Sequence, residues 1–241
     1  MDIELTKIIE DEHRLAVESL RLYGDVFANT NAALICFEQS FIPVDKKAHF
    51  SSLFLLQAQK SLCLATLSIL RHHRVQMFHM LRDALESEVI ACYALHSQNK
   101  NEFGEIKDGV LTPQQVLKKG GYDWFKSKYP QESDRIEYLK EMINKSFAHS
   151  NLLSVAQNLV VDDNEGKVRS VFFDPVEPSE IERWLWLIGD VAIDFMKIYA
   201  TVLKNYPVAR LDFQFLQKVD HLSAECERIK KRIGEGVGPV I

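Results

Sequence analysis

The sequence predicts a mainly α protein: a multi-helix up-and-down bundle with one β-hairpin insertion at about residues 153–173. Three observations predict it. Only seven prolines and ten glycines occur in 241 residues, so long stretches run without a breaker. Apolar residues recur at helical spacing through most of those stretches. One segment departs from that spacing. Residues 153–161 and 167–173 are rich in Val, Leu and Phe and flank Asp162-Asp163-Asn164-Glu165-Gly166, which has turn chemistry.

Residues 2–28 carry Ile8, Ile9, Leu15, Leu20, Leu22 and Val26, with acids toward the start. That pattern predicts an amphipathic helix aligned with its dipole. Asn29-Thr30-Asn31 is expected to interrupt or re-cap it, and residues 32–41 add a short apolar segment closed by Pro43. Residues 46–70 predict a second helix, nearly apolar all round near 53–56, which implies burial between neighbours. Residues 70–95 hold no Gly or Pro. A continuous helix of roughly 50 residues would be unusual in a globular domain, so a break is expected near Arg71-His72-His73-Arg74.

Within 70–95, Met77, Leu81, Ala84, Leu85, Ala91, Cys92 and Leu95 form one stripe. Glu88 projects near its centre, and Arg74 lies on it about four turns toward the N-terminus. A carboxylate buried alone is costly. The default expectation is a structural ion network that includes Arg74 and Glu88; the alternative is a polar pocket cut into the bundle.

Residues 98–112 are polar and read as a loop. Thr112-Pro113 is expected to open a short helix to Lys119, ended by Gly120-Gly121. Residues 122–129 predict a second short turn, closed by Pro130. Residues 133–146 predict an amphipathic helix with Ile136, Leu139, Met142 and Ile143 on one side. After the hairpin, Ser179 is expected to cap a helix with Glu180 and Glu182 in its first turn. Residues 181–203 leave only a narrow polar face of Arg183, Asp190, Asp194 and Lys197, as a central helix would. Residues 211–233 predict a more polar outer helix, followed by a tail with Gly234, Gly236 and Gly238. No repeat or linker divides the chain, so residues 1–241 are expected to form one domain.

The net charge of −5 argues against a dedicated basic nucleic-acid binder while leaving room for a local basic patch. Cys36, Cys63, Cys92 and Cys226 are widely spaced with no CxxC pair, which suits free thiols in a reducing compartment and no metal site. Nor is a cofactor expected, since no phosphate-binding or nucleophile motif is present. The acidic start is unlike a secretory signal, and the apolar run over 53–70 is broken by Gln57, Gln59 and Lys60. A cytoplasmic protein without a membrane partner is expected.

Two constellations could carry chemistry. Arg82 and Glu86 stand one helical turn apart, either as a surface salt bridge or as the rim of a polar pocket. Asn144, Lys145, Ser146 and His149 cluster after an amphipathic helix. Such groups suit phosphate binding or proton transfer near neutral pH, or simply complement a helix C-terminus. An R-x-x-x-E helix (Arg82, Glu86) followed by an S-x-x-H element (Ser146, His149) resembles uncharacterised prokaryotic helical proteins distantly similar to the HEPN superfamily. That resemblance implies a helical bundle, and many HEPN proteins are RNases of toxin or phage-defence systems. Their signature places an Arg shortly before the His; here Ile143 stands in that place and Lys145 is the nearest base.

Two functional readings stay open. In the first, the protein contacts RNA and is RNase-like: His149 acts as general acid or base, Arg82, Lys145 and Asn144 hold phosphate, and Glu86 orients Arg82. In the second, it is a non-enzymatic interaction protein forming a homo-oligomer through Trp184, Trp186 and the apolar run 53–56.

Overall fold

The computed structural model describes residues 4–39, 41–43, 45–97, 102–107, 110–112, 115–146, 159–162, 167–170, 172–206 and 208–235. Eight α-helices are present among them: α1 (Leu5–Leu22), α2 (Gly24–Gln39), α3 (His49–Leu70), α4 (Arg74–His96), α5 (Gln115–Lys128), α6 (Pro130–Ser146), α7 (Pro178–Leu203) and α8 (Phe215–Glu235). The protein is mainly α. The longest shared faces lie between α3 and α4 and between α2 and α7, with α8 against α7 and α5 against α4. One continuous core draws Leu62 and Ile69 from α3, Phe78 and Leu85 from α4, Phe125 from α5, Leu139 from α6, Ile188 and Tyr199 from α7, and Phe215 from α8.

The expected break between the second and third helical stretches is a Schellman turn. The His72 N–H donates to the Ile69 carbonyl and the His73 N–H to that of Ser68. His72 takes the left-handed conformation this turn requires (φ 59°), although it has a side chain. The first free N–H of α4, at Arg74, donates to the Asp174 carboxylate, and the Asp174 N–H donates to the His72 carbonyl. A distant residue thus caps the helix where His73 does not. His72→Gly should relieve the left-handed strain and stabilise the fold by about 0.5–1 kcal/mol. A urea midpoint that is unchanged or lower would contradict this.

Several boundaries differ from expectation. The first helix breaks at Tyr23, not at Asn29-Thr30-Asn31, which lie inside α2. Thr30 is buried there, its hydroxyl donating to the carbonyls of Val26 (3.0 Å) and Leu185 (2.8 Å), so α2 and α7 are joined at close range. The α5 helix runs straight through Gly120 and Gly121. A side chain at Gly121 would come within 2.9 Å of Ile90 Cδ1, so this glycine serves close packing on α4 and does not end the helix. Pro130 opens α6, a position where its missing N–H costs nothing. The last helix starts at Phe215, not at 211, because Ala209–Leu211 pairs antiparallel with Phe41–Pro43. Within the stretch expected to be a loop, Glu105–Lys107 pairs with Val110–Thr112. About half of the segment expected as the 153–173 hairpin lies outside the described residues. Of what is described, Leu159–Asp162 runs antiparallel to Lys167–Ser170.

The polar face of α7 is occupied. Arg135 on α6 reaches Asp190 (2.7 Å) and Asp194 (3.0 Å), and Lys197 donates to Ser223 on α8 (2.7 Å). The expected outer position of the last helix follows from its pattern: Phe215, Val219, Leu222, Cys226 and Ile229 are buried and the other side is open. Among the described helices, α3 alone is long and apolar enough to cross a membrane, and half of that stretch is buried within the fold.

Candidate functional site

Helical spacing places Arg82 and Glu86 on one flank of α4, where Arg82 Nε lies 3.3 Å from Glu86 Oε1. The pair is only partly open to solvent, because α5 and α6 pack against this side of α4. Lys140 on α6 approaches the same carboxylate, with Nζ 3.7 Å from Glu86 Oε1. Its ammonium also sits 3.9 Å above the centre of the Tyr122 ring, contributed by α5. Two cations from two helices therefore converge on one carboxylate beside an aromatic face.

The Tyr122 hydroxyl is buried and has no hydrogen-bond partner among the described residues. Burial raises its pKa well above the ordinary tyrosine value; the Glu86 charge adds to that, and Arg82 opposes it. It is a neutral donor at physiological pH. Asn144 stands one turn beyond Lys140 on α6, and its Oδ1 is likewise buried without a partner among the described residues. Unsatisfied buried polar atoms are uncommon in folded proteins. An unpaired donor on the ring under Lys140 and an unpaired acceptor one turn from Lys140 suit a ligand that carries both anionic oxygens and a hydroxyl.

Of the sequence-predicted site residues, Arg82 and Glu86 meet as expected, and Asn144 shares the helix face of Lys140, which grips Glu86. Lys145 lies in α6, but its side chain is outside the described set, and His149 lies outside the described residues altogether. Tyr122 and Lys140 are additions. Lys140 had a signal in the sequence, since it precedes Asn144 by one helical turn. Tyr122 did not, because the glycines before it read as a helix end.

The structure does not join Arg74 to Glu88, which corrects the expected ion network. Fourteen residues of helix separate them by roughly 21 Å. Arg74 instead meets Glu180 on α7 at 3.5 Å. Glu88 is fully buried, accepts the Cys92 S–H at 3.6 Å through Oε1, and has no partner at Oε2 among the described residues. Desolvation raises its pKa from 4.5 to about 8, so at neutral pH it is mostly protonated. Ser51 and Tyr199 extend this internal polar patch: their hydroxyl oxygens lie 2.6 Å apart, and Ser51 donates to the Ala91 carbonyl.

Several basic side chains elsewhere are matched by acids. Arg71 meets Glu12 at 3.6 Å, Lys126 meets Glu137 at 3.2 Å, and Arg228 and Arg232 both reach Asp25. A cavity of about 590 Å³ between α7 and α8, lined in part by Lys197, Lys204, Arg210 and Phe215, contains none of the sequence-predicted groups. Among the described residues no cluster of three or more His, Cys, Asp or Glu side chains could hold a metal. Comparison of the chain with protein-family models, curated proteins and solved structures finds no match.

Proposed function

We propose that the chain is a nucleic-acid-contacting, RNase-like helical protein resembling the HEPN superfamily, with the seam between α4, α5 and α6 as its phosphate site. The observation that carries this reading is the convergence of Arg82 and Lys140 on Glu86, with the buried, unpaired Tyr122 hydroxyl on the ring under Lys140 and the buried, unpaired Asn144 oxygen one helical turn from Lys140. A phosphodiester would accept from Arg82, Lys140 and Tyr122, while Asn144 would accept from a ribose hydroxyl. Glu86 holds the two cations in place when the site is empty. His149, three residues beyond the end of α6 in sequence, is the proposed general acid or base, and Lys145 adds charge from the same helix end. The same reading keeps an up-and-down bundle with a hairpin near 153–173, in the cytoplasm, with RNA as partner.

Binding of a fluorescent single-stranded RNA at low salt tests it. Hydrogen bonds to charged groups are worth roughly 1.5–3 kcal/mol, so Arg82→Ala and Lys140→Ala should each weaken binding about tenfold or more. Each should also flatten the salt dependence, by about one unit in slope. His149→Ala should leave binding in place and abolish cleavage. Wild-type protein that fails to bind RNA, or a double variant that binds as well as wild type, would end this reading.

A second reading, a non-enzymatic homo-oligomer, is favoured by one observation. Leu53 and Leu56 on α3 are 48% and 58% exposed, and Leu67 on the same helix is 47% exposed. The other expected contributors are committed internally. Trp184 packs edge-on against Phe78, and Trp186 donates its ring N–H to the Cys226 carbonyl.

A further inference from the structure

The α3 helix is nearly apolar all round, as its sequence suggests, yet it is not covered all round. Its buried residues take up most of the circumference: Leu55, Ala58, Leu62, Ala65, Thr66 and Ile69 are all inside. One face remains, and the exposed described residues of α3 beyond His49 all lie on it: Leu53, Leu56, Gln57, Lys60 and Leu67. Half-exposed Cys63 and Leu64 complete the strip. An open helix face is ordinarily polar, so this one lacks a cover.

The strip is symmetric about its one charge. Leu56 and Leu64 lie four residues before and after Lys60, and Leu53 and Leu67 lie seven before and after. Antiparallel packing of two copies across a two-fold axis at Lys60 places Leu53 against the partner's Leu67 and Leu56 against the partner's Leu64. That is the self-complementarity an isologous interface demands. The spacing of three and four residues also suits interdigitation of facing helices.

Charge agrees with this arrangement. Two lysines meeting on an axis would repel unless acids join them. Glu38 on α2 borders the strip, lining a small cavity with Leu56 and Gln59, and its charge reaches the Cys63 thiol. Neither Glu38 nor Lys60 has an ion-pair partner among the described residues. The two-fold axis brings each Lys60 toward the partner's Glu38, giving four charges that sum to zero.

We infer that two copies of the chain pair through this face of α3, antiparallel, with Lys60 on the two-fold axis and each Lys60 bonded to the partner's Glu38. The inference rests on the homo-oligomer reading and adds the surface and register to it.

Light scattering of the purified full chain and disulfide trapping test the two levels separately. The expected mass is that of a dimer. Leu56→Glu, at an exposed position that leaves the helical circular dichroism unchanged, should raise the dissociation constant at least tenfold. In a Cys63→Ser background, Lys60→Cys should cross-link to a covalent dimer on mild oxidation, because residues at the axis lie within disulfide reach. Wild-type Cys63 should not, since two copies of it would stand about 9 Å apart along the helices. A monomer at all concentrations overturns both the homo-oligomer reading and this interface. A monomer that floats with phospholipid vesicles does so too and assigns the face to lipid. A dimer that Leu56→Glu leaves intact, or that Lys60→Cys fails to trap, overturns this interface alone.

Discussion

Replacing Glu88 with Gln should stabilise the protein at pH 8 by roughly 2–4 kcal/mol, with the gain lost by about pH 5 and replaced at lower pH by a cost of up to about 1 kcal/mol. Glu88 is fully buried, with one weak thiol donor and no opposing charge at its carboxyl among the described residues. Its pKa in the fold is raised from 4.5 to about 8 by desolvation. Below about pH 4.5, folded and unfolded chains both carry the proton, and the group has no effect on the pH dependence. Between about 4.5 and 8 the unfolded chain releases the proton while the folded one keeps it, so each pH unit costs about 1.4 kcal/mol of stability. Above about 8 both forms are ionised and the loss is complete. An amide of the same shape keeps the Cys92 contact through its oxygen and does not ionise. Its extra buried N–H offsets part of the gain, by about 1 kcal/mol. Urea midpoints of wild type and Glu88→Gln at pH 5, 6, 7 and 8 are the measurement. Curves that stay parallel across that range would show that Glu88 does not hold its proton in the fold.

Gly189→Leu should destabilise the protein by about 3 kcal/mol, the upper end of ordinary overpacking. Gly189 lies on α7 where it crosses α2, and a Cβ there would stand 3.1 Å from Thr30 Oγ1 and 3.3 Å from Thr30 Cα. The second contact is with backbone, so relief requires α2 itself to move. Movement would also break the buried Thr30 hydrogen bond to the Leu185 carbonyl, leaving polar atoms unsatisfied. Gly189→Ala should be milder, because better helix propensity works against the tight contact. Gly24→Ala is the control: nothing lies within 4 Å of the added Cβ, and the variant should be neutral or slightly stabilised. Thermal or urea unfolding that ranks Gly189→Leu no worse than Gly24→Ala would refute the close crossing of α2 and α7.

Much of the helical layout was legible because burial repeats with the helical period. The stripe through Met77, Leu81, Ala84, Leu85, Ala91, Cys92 and Leu95 is buried as its spacing predicts. The break before Arg74 was legible from length alone. Punctuation residues misled where packing changed their meaning. Gly120-Gly121 reads as a helix end, yet the lack of a side chain at Gly121 is what lets α5 press onto Ile90 and Tyr93 of α4. Asn29-Thr30-Asn31 reads as an interruption, but Thr30 spends its hydroxyl on carbonyls within α2 and across to α7. Half of the candidate site was legible on the same terms. Arg82 and Glu86 are neighbours by helical spacing, whereas Tyr122 and Lys140 join them from other helices.

The sequence by itself determined the mainly helical class, the buried stripe of α4, the local Arg82 and Glu86 pair and the apolar character of α3, since each depends on the spacing of residues within one helix. Only the tertiary structure decided which charges meet. It sent Arg74 to Glu180, left Glu88 without an opposing charge among the described residues, and brought Lys140 to Glu86. It also left one leucine-rich face of α3 open. The physical reason is range. Periodicity is written along the chain within a few turns, whereas an ion pair, a close crossing or an uncovered face depends on distances between helices, which no local pattern encodes.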